Sequence, residues 1–200
     1  MSKQGDNLFK KAEKAFNKYT KFGNEKKLTN AIDLFKQSAD AYQSTNDWVH
    51  AGDAYAKAAD CLQNNNQLNE AAIASTNAGK MYSKSPETAK KAYESFSLAA
   101  RFYRENSKPI NAAQLLCESG KFFDGQKDSE NAIQCYKDAA QIYDDENKPI
   151  QAANQMAIIA DILCSQNKWI DASNVYKDVA ARRFSDNLTK ISALEFCMKS

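Results

Sequence analysis

The chain is poor in the residues that interrupt helices and in those that build reactive sites. Its 200 residues include six glycines, three prolines (Pro86, Pro109 and Pro149) and one histidine. So few breakers beside abundant alanine favour long helices. With His50 alone, an H-E-x-x-H zinc site is impossible. A Ser/His/Asp or Cys/His centre would have to pass through His50, which stands beside Trp48 at a helix start and reads as an exposed or capping residue. Neither G-x-x-x-x-G-K-[ST] nor G-x-G-x-x-G occurs, so the standard phosphate-cradling loops are missing. No catalytic residue, metal ligand or cofactor is assigned, and the chain is read as a binding protein and not an enzyme.

Other shortages bound the environment. The five cysteines, Cys61, Cys117, Cys135, Cys164 and Cys197, are odd in number and include no C-x-x-C pair. They read as free thiols in a reducing compartment. No stretch approaches the roughly 18 apolar residues of a membrane span. The opening Met-Ser-Lys-Gln-Gly-Asp has no secretion-type apolar run, and Ser2 stands where myristoylation needs glycine. Asn187-Leu188-Thr189 matches a glycosylation acceptor that would go unused without export. A cytosolic chain is expected. With 27 basic and 25 acidic residues the net charge is +2, too balanced to predict nucleic-acid binding. Strand signals are absent too: no useful run alternates with period two, and Asp124-Gly125 reads as a helix end.

What the chain does have is a beat. A small residue falls at Ala39, Ala59, Gly79, Ala100, Gly120, Ala140, Ala160 and Ala180, spaced by 20 with a single 21. Three residues later come Tyr42, Leu62, Tyr82, Tyr103, Phe123, Tyr143, Leu163 and, off pattern, Arg183. Upstream alanines (Ala31, Ala51, Ala71, Ala92, Ala112, Ala132, Ala152, Ala172) open each unit. Within one unit, Ala132, Cys135, Tyr136, Ala139, Ala140 and Tyr143 share one face of an amphipathic helix. Asn46-Asp47, Asn64-Asn65-Asn66, Ser83-Lys84-Ser85, Asp128-Ser129 and Asn167 supply turn or N-cap groups, and the three prolines fit first helical turns.

Such short links force neighbouring helices antiparallel. The hairpin period of forty is visible in Glu105-Asn106-Ser107-Lys108-Pro109-Ile110-Asn111-Ala112-Ala113, echoed by Glu146-Asn147-Lys148-Pro149-Ile150-Gln151-Ala152-Ala153. The pattern predicts an all-α, right-handed superhelical solenoid of antiparallel hairpins, TPR-like, as one domain over 1–200. About ten helices are expected, near 7–22, 27–44, 48–63, 67–83, 86–105, 108–123, 128–144, 149–164, 168–183 and 188–199.

Function is then sought on the surface. Lys84, Lys108, Lys148 and Lys168 all fall at turns. Alternate turns share an edge, so Lys108 and Lys148 are expected on one edge and Lys84 and Lys168 on the other. A Lys row could touch an elongated acidic ligand; simple solvation of the turns is the plainer reading. In the first helix Phe16, Tyr19 and Phe22 interleave with Lys11, Lys14, Lys18 and Lys21, a membrane-surface pattern, against the alternative that Phe16 and Tyr19 pack on the next helix. Asp144-Asp145-Glu146 could attract a basic partner or solvate a turn, and Arg182-Arg183 suits a helix C-terminus.

Several runs resemble the soluble NSF-attachment proteins (SNAPs): Ala51-Gly52-Asp53-Ala54-Tyr55-Ala56-Lys57-Ala58-Ala59, Glu70-Ala71-Ala72 with Asn77-Ala78-Gly79, Asn131-Ala132-Ile133-Gln134-Cys135-Tyr136, Ala12-Glu13-Lys14 and Ile170-Asp171-Ala172-Ser173. The likeness runs along nearly the whole chain. Tyr103-Arg104-Glu105-Asn106 with Pro109, Ala112-Ala113 and Gly120-Lys121 is similar to the gamma form, as is the short Lys21-Phe22-Gly23-Asn24 link, which lacks the Phe-rich membrane loop of the alpha form.

The resemblance implies a non-enzymatic adaptor that binds the four-helix SNARE bundle (syntaxin-type proteins) and recruits the ATPase NSF for its disassembly. That places it in vesicle fusion and intracellular transport, in the cytoplasm and peripheral to membranes. It carries SNARE-contact positions onto Lys108 and, nearby, Lys84, and onto two neutral residues, Gln114 and Gln155, where the alpha form has lysines; Lys148, from the row of turn lysines, joins them as a SNARE-contact candidate. It puts membrane contact at Phe16, Tyr19 and Phe22, and NSF contact in a C-terminal segment absent here, so the chain is expected to lack the family's C-terminal bundle. Another TPR-like scaffold, a co-chaperone or assembly adaptor, is the alternative, although such modules usually repeat every 34 residues.

Overall fold

The structure is a computed structural model that describes residues 2–23 and 25–183. Its described residues are helices joined by tight turns, with no strand. They pack as two compact units, Met1–Lys108 and Pro109–Ser200. The first holds α1 (Lys3–Phe22), α2 (Glu25–Gln43), α3 (Trp48–Asn64), α4 (Leu68–Tyr82), a 3₁₀ turn (Pro86–Thr88) and α5 (Ala89–Glu105). The second holds α6 (Pro109–Gly125), α7 (Ser129–Asp145), α8 (Pro149–Ser165) and α9 over residues 169–183. The tenth expected helix, 188–199, lies outside the described residues.

The twenty-residue beat is the spacing of one turn device. After α2, Asp47 N–H donates to the Tyr42 carbonyl and Asn46 N–H to that of Gln43. Together they close a Schellman motif around Asn46 in the left-handed region at φ 56°. The same pair of bonds follows Leu62, Tyr103, Phe123, Tyr143 and Leu163. The left-handed residues are Asn46, Asn66, Ser107, Lys127, Asn147 and Asn167. These asparagines therefore finish the preceding helix. The N-caps come from Asp47 and Asp128, which accept from His50 N–H at 3.4 Å and Asn131 N–H at 3.3 Å.

The one interval of 21 coincides with a different turn. After α4, Ser83 stays right-handed, and the chain enters α5 through Pro86–Thr88. The expected single helix over 86–105 thus has a 3₁₀ first turn. The first helix also starts earlier than residue 7, because Ser2 Oγ accepts from Gly5 N–H at 3.1 Å and caps it at Lys3.

Small residues do what their spacing implies. Ala31, Ala51, Ala71, Ala92, Ala112, Ala132 and Ala152 are wholly buried, as are Ala39, Ala59 and Ala160. Aromatic rings fill the grooves they leave. Tyr42, at the end of α2, covers Gly5 at the start of α1, and Tyr82, ending α4, covers Gly52 near the start of α3. These end-to-start contacts make each pair antiparallel. A β-carbon at Gly52 would lie 2.6 Å from Tyr82 Cε1, and one at Gly5 2.7 Å from Tyr42 Cδ1. In the first unit, Leu28, Phe35, Leu62 and Phe102 complete a core with almost no exposure. Truncating Phe102 to alanine would cost about 3–5 kcal/mol.

Candidate functional site

Two of the turn lysines, Lys84 and Lys108, are held by neutral partners. Lys84 follows α4, and its ammonium sits 4.4 Å from the centre of the Trp48 ring, at the start of α3. Lys108 follows α5 and donates to Asn69 Oδ1 at 3.0 Å, at the start of α4. Each reaches back to the turn one hairpin earlier, so alternate turns of the first unit do share an edge. Neither partner carries charge, so each contact orients the ammonium without an opposing charge. Lys148, in the second unit, is half-buried at the start of α8; Gln114 is exposed on α6 and Gln155 half-buried on α8.

The N-terminal aromatics divide. Phe16 and Tyr19 lie 6.1 Å apart and pack against the core of the first unit. Phe22, at the end of α1, is 78% exposed. Lysines from the same helix take another course: Lys11, Lys14 and Lys18 of α1 face Lys27 and Asn30 of α2 across a groove of about 250 Å³ floored by Ala15 and Leu34. A second groove in the first unit is lined by Lys36, Asp40, Tyr55, Glu70 and the half-exposed Ile73. Sequence periodicity gave no reason to single out Ile73, whose exposure depends on what α4 meets in space.

The acidic and arginine runs resolve against each other. Arg182 on α9 lies 2.5 Å from Asp144 Oδ1, also contacts its Oδ2, and donates to Asp178 at 3.1 Å. Asp144 is therefore occupied in tying the end of α7 to α9. His50 is likewise local: its Nδ1 is 2.7 Å from Asp47 Oδ1 and its ring stacks on Tyr42 at 5.3 Å. Burial pushes the Cys61 and Cys135 thiols up to about 12, so neither is a thiolate near neutral pH. Among the described residues, no three His, Cys, Asp or Glu gather as metal ligands, and no helix is long and apolar enough to cross a membrane.

With helix hairpins, buried small residues and surface-borne charge in view, the comparison with known families is decisive. Residues 3–200 match the family described as "Soluble NSF attachment protein, SNAP". The chain belongs to this family.

As a SNAP-family member it is 28% identical over 129 residues to the alpha-soluble NSF attachment protein of Vitis vinifera, covering 64% of this chain and 43% of that one. The chain thus spans less than half the length of that relative. Among solved structures, it is similar to the DHF119 filament (15% identity, 96% of each chain, TM-score 0.43). It is also similar to the MamA protein (14% identity, 94% of this chain and 96% of that one, TM-score 0.39). The family is one of non-enzymatic adaptors. In this SNAP-family chain Lys84 and Lys108 are exposed at turns, while Phe16 and Tyr19, two of the three aromatics expected at a membrane, pack against the core.

Proposed function

We propose that this chain is a non-enzymatic adaptor that grips the assembled four-helix SNARE bundle and takes part in its disassembly by NSF. It would act in the cytoplasm and at membrane surfaces, in vesicle fusion and intracellular protein transport. The observation that carries this reading is the family match across residues 3–200. Physical support comes from Lys84 and Lys108, cations held by an aromatic ring and an amide oxygen. Preorganised, uncompensated charge of this kind suits an acidic partner, since little side-chain entropy is left to lose on contact. Lys148 is proposed as a third contact, and Gln114 and Gln155 as neutral contact positions that leave the electrostatic grip weaker than a lysine set would. Phe22 is the exposed aromatic available for a membrane surface. Recruitment of NSF is proposed for the whole protein, through the C-terminal segment that the family resemblance implies.

The test is fluorescence anisotropy on labelled cytosolic SNARE domains, titrated with the 200-residue chain. Binding to the assembled bundle, with little to the separate helices, is expected. Absence of binding to every assembled bundle tried overturns the reading, and selective capture of free peptide C-termini would mark a different repeat scaffold.

A further inference from the structure

We infer that the groove between α1 and α2 is a binding site for a compact, multiply phosphorylated ligand of the inositol-polyphosphate kind, free or as a lipid headgroup. The first helix concentrates charge as nothing else in the chain does. It holds six lysines and two acids, a net of +4, in a chain whose total is +2. Lys11, Lys14, Lys18 and Lys27 line one groove with Asn30, and no acidic residue lines it. All four lysines are exposed, and none has an ion-pair partner among the described residues.

Their convergence follows from helix geometry. Residues 11, 14, 15 and 18 fall on one face of α1, and 27, 30 and 34 on one face of α2. Ala15, at 6% exposure, has too small a side chain to fill the space between, so the lysine stems become walls over an apolar floor. Four like charges so placed repel one another, which disfavours leaving the groove empty. Lys11 to Lys18 spans two turns, about 10 Å. Phosphates set around a six-membered ring fit that length, whereas the carboxylates of an extended acidic peptide spread well past it. Lysines as mobile point charges suit phosphates approaching from several directions.

Phe22 stands one turn beyond Lys18 on the same stripe of α1. That places an exposed ring beside the groove, where a lipid headgroup would bring acyl chains. Free and lipid-borne phosphate are thereby separable. The inference is independent of the adaptor reading, because a soluble ligand reports on the groove alone.

The experiment is calorimetric titration of the full chain with inositol hexakisphosphate at near-physiological salt, and sedimentation with phosphatidylcholine vesicles with and without phosphatidylinositol 4,5-bisphosphate. One saturable site is expected. Each groove lysine contributes about fivefold, so Lys11→Gln/Lys18→Gln/Lys27→Gln lowers affinity on the order of a hundredfold. Lys57→Gln/Lys80→Gln/Lys90→Gln, an equal loss of charge elsewhere, lowers it less than threefold. Phe22→Ser weakens vesicle binding alone if the natural source is a lipid, and changes neither arm if it is a free polyphosphate. No saturable binding, an equal loss in both triple variants, or tighter binding of an Asp/Glu-rich peptide than of the polyphosphate overturns the proposal.

Discussion

The Tyr82 hydroxyl donates to Asp53 Oδ1 over 2.6 Å while its ring lies against Gly52, the residue before. Tyr42 repeats the arrangement on Gly5 and Asp6, with a bond of 2.7 Å. A glycine lets the ring in, and the following aspartate anchors its far end. Both hairpins of the first unit that close this way pin the end of one helix to the start of its neighbour.

Gly52→Ala should therefore destabilise the fold by about 1–3 kcal/mol, because the ring must move and its hydroxyl leaves Asp53. Gly125→Ala, where an added β-carbon meets nothing within 4 Å, should stabilise by up to about 1 kcal/mol through helix propensity. Urea midpoints for the two variants check the contrast. Equal shifts would contradict the packing account.

Lys127 is the least suited of the left-handed turn residues, at φ 62°. Lys127→Gly should raise stability by roughly 1 kcal/mol, the left-handed penalty of a lysine less the entropy that glycine gains when unfolded. Asn147→Ala should lower it, since Asn147 occupies the same Schellman position. Thermal melts of both variants decide.

The hairpin repeat was legible because its signals are local. A small residue every twenty positions marks close helix approach, and the large apolar residue three positions later (Tyr42, Leu62, Tyr103, Phe123, Tyr143 or Leu163) also supplies the carbonyl that closes each Schellman turn. The single interval of 21 coincides with the odd turn at Ser83–Ser85, a difference that only the structure explains. What local sequence could not carry was pairing across distance. Arg182 and Asp144 are 38 residues apart, so a helix-end arginine and an acidic run read as separate features. Phe16 and Tyr19 read as membrane-facing or core-facing in sequence, and only the packing of the first unit's core decides between the two. Ser2 carries no cap signal in the sequence pattern, because the apolar periodicity of α1 begins only at Leu8.

Arg182→Ala should cost about 1–3 kcal/mol by leaving Asp144, well shielded between α7 and α9, without its two-oxygen partner. Arg182→Lys should recover little of it, because an ammonium cannot reproduce the planar fork. Full recovery by lysine would show that charge alone is enough.

Stability should fall at alkaline pH. Burial pushes the Cys61 and Cys135 thiols from an ordinary 9.0 up to about 12. Tyr82 is raised above its ordinary range, by burial first and its bond to Asp53 second. Below pH 9 the thiols are protonated in both states and their contribution is complete. As pH rises from 9 towards 12, the unfolded thiols ionise while the folded ones hold their protons, so the fold loses stability. Urea midpoints should drop steadily from pH 8.5 to 10.5, and less steeply in Cys61→Ala/Cys135→Ala; a flat profile would contradict the burial of these thiols.

A grip made by turn lysines has a direct signature in salt. Anisotropy of an assembled SNARE bundle titrated with the chain at ionic strengths from about 50 to 500 mM spans Debye lengths from about 14 Å down to about 4 Å, the scale of a contact. The adaptor account predicts affinity falling steadily with salt, and a weaker, flatter response for Lys84→Gln/Lys108→Gln/Lys148→Gln. Affinity indifferent to salt and untouched by the triple substitution would contradict it.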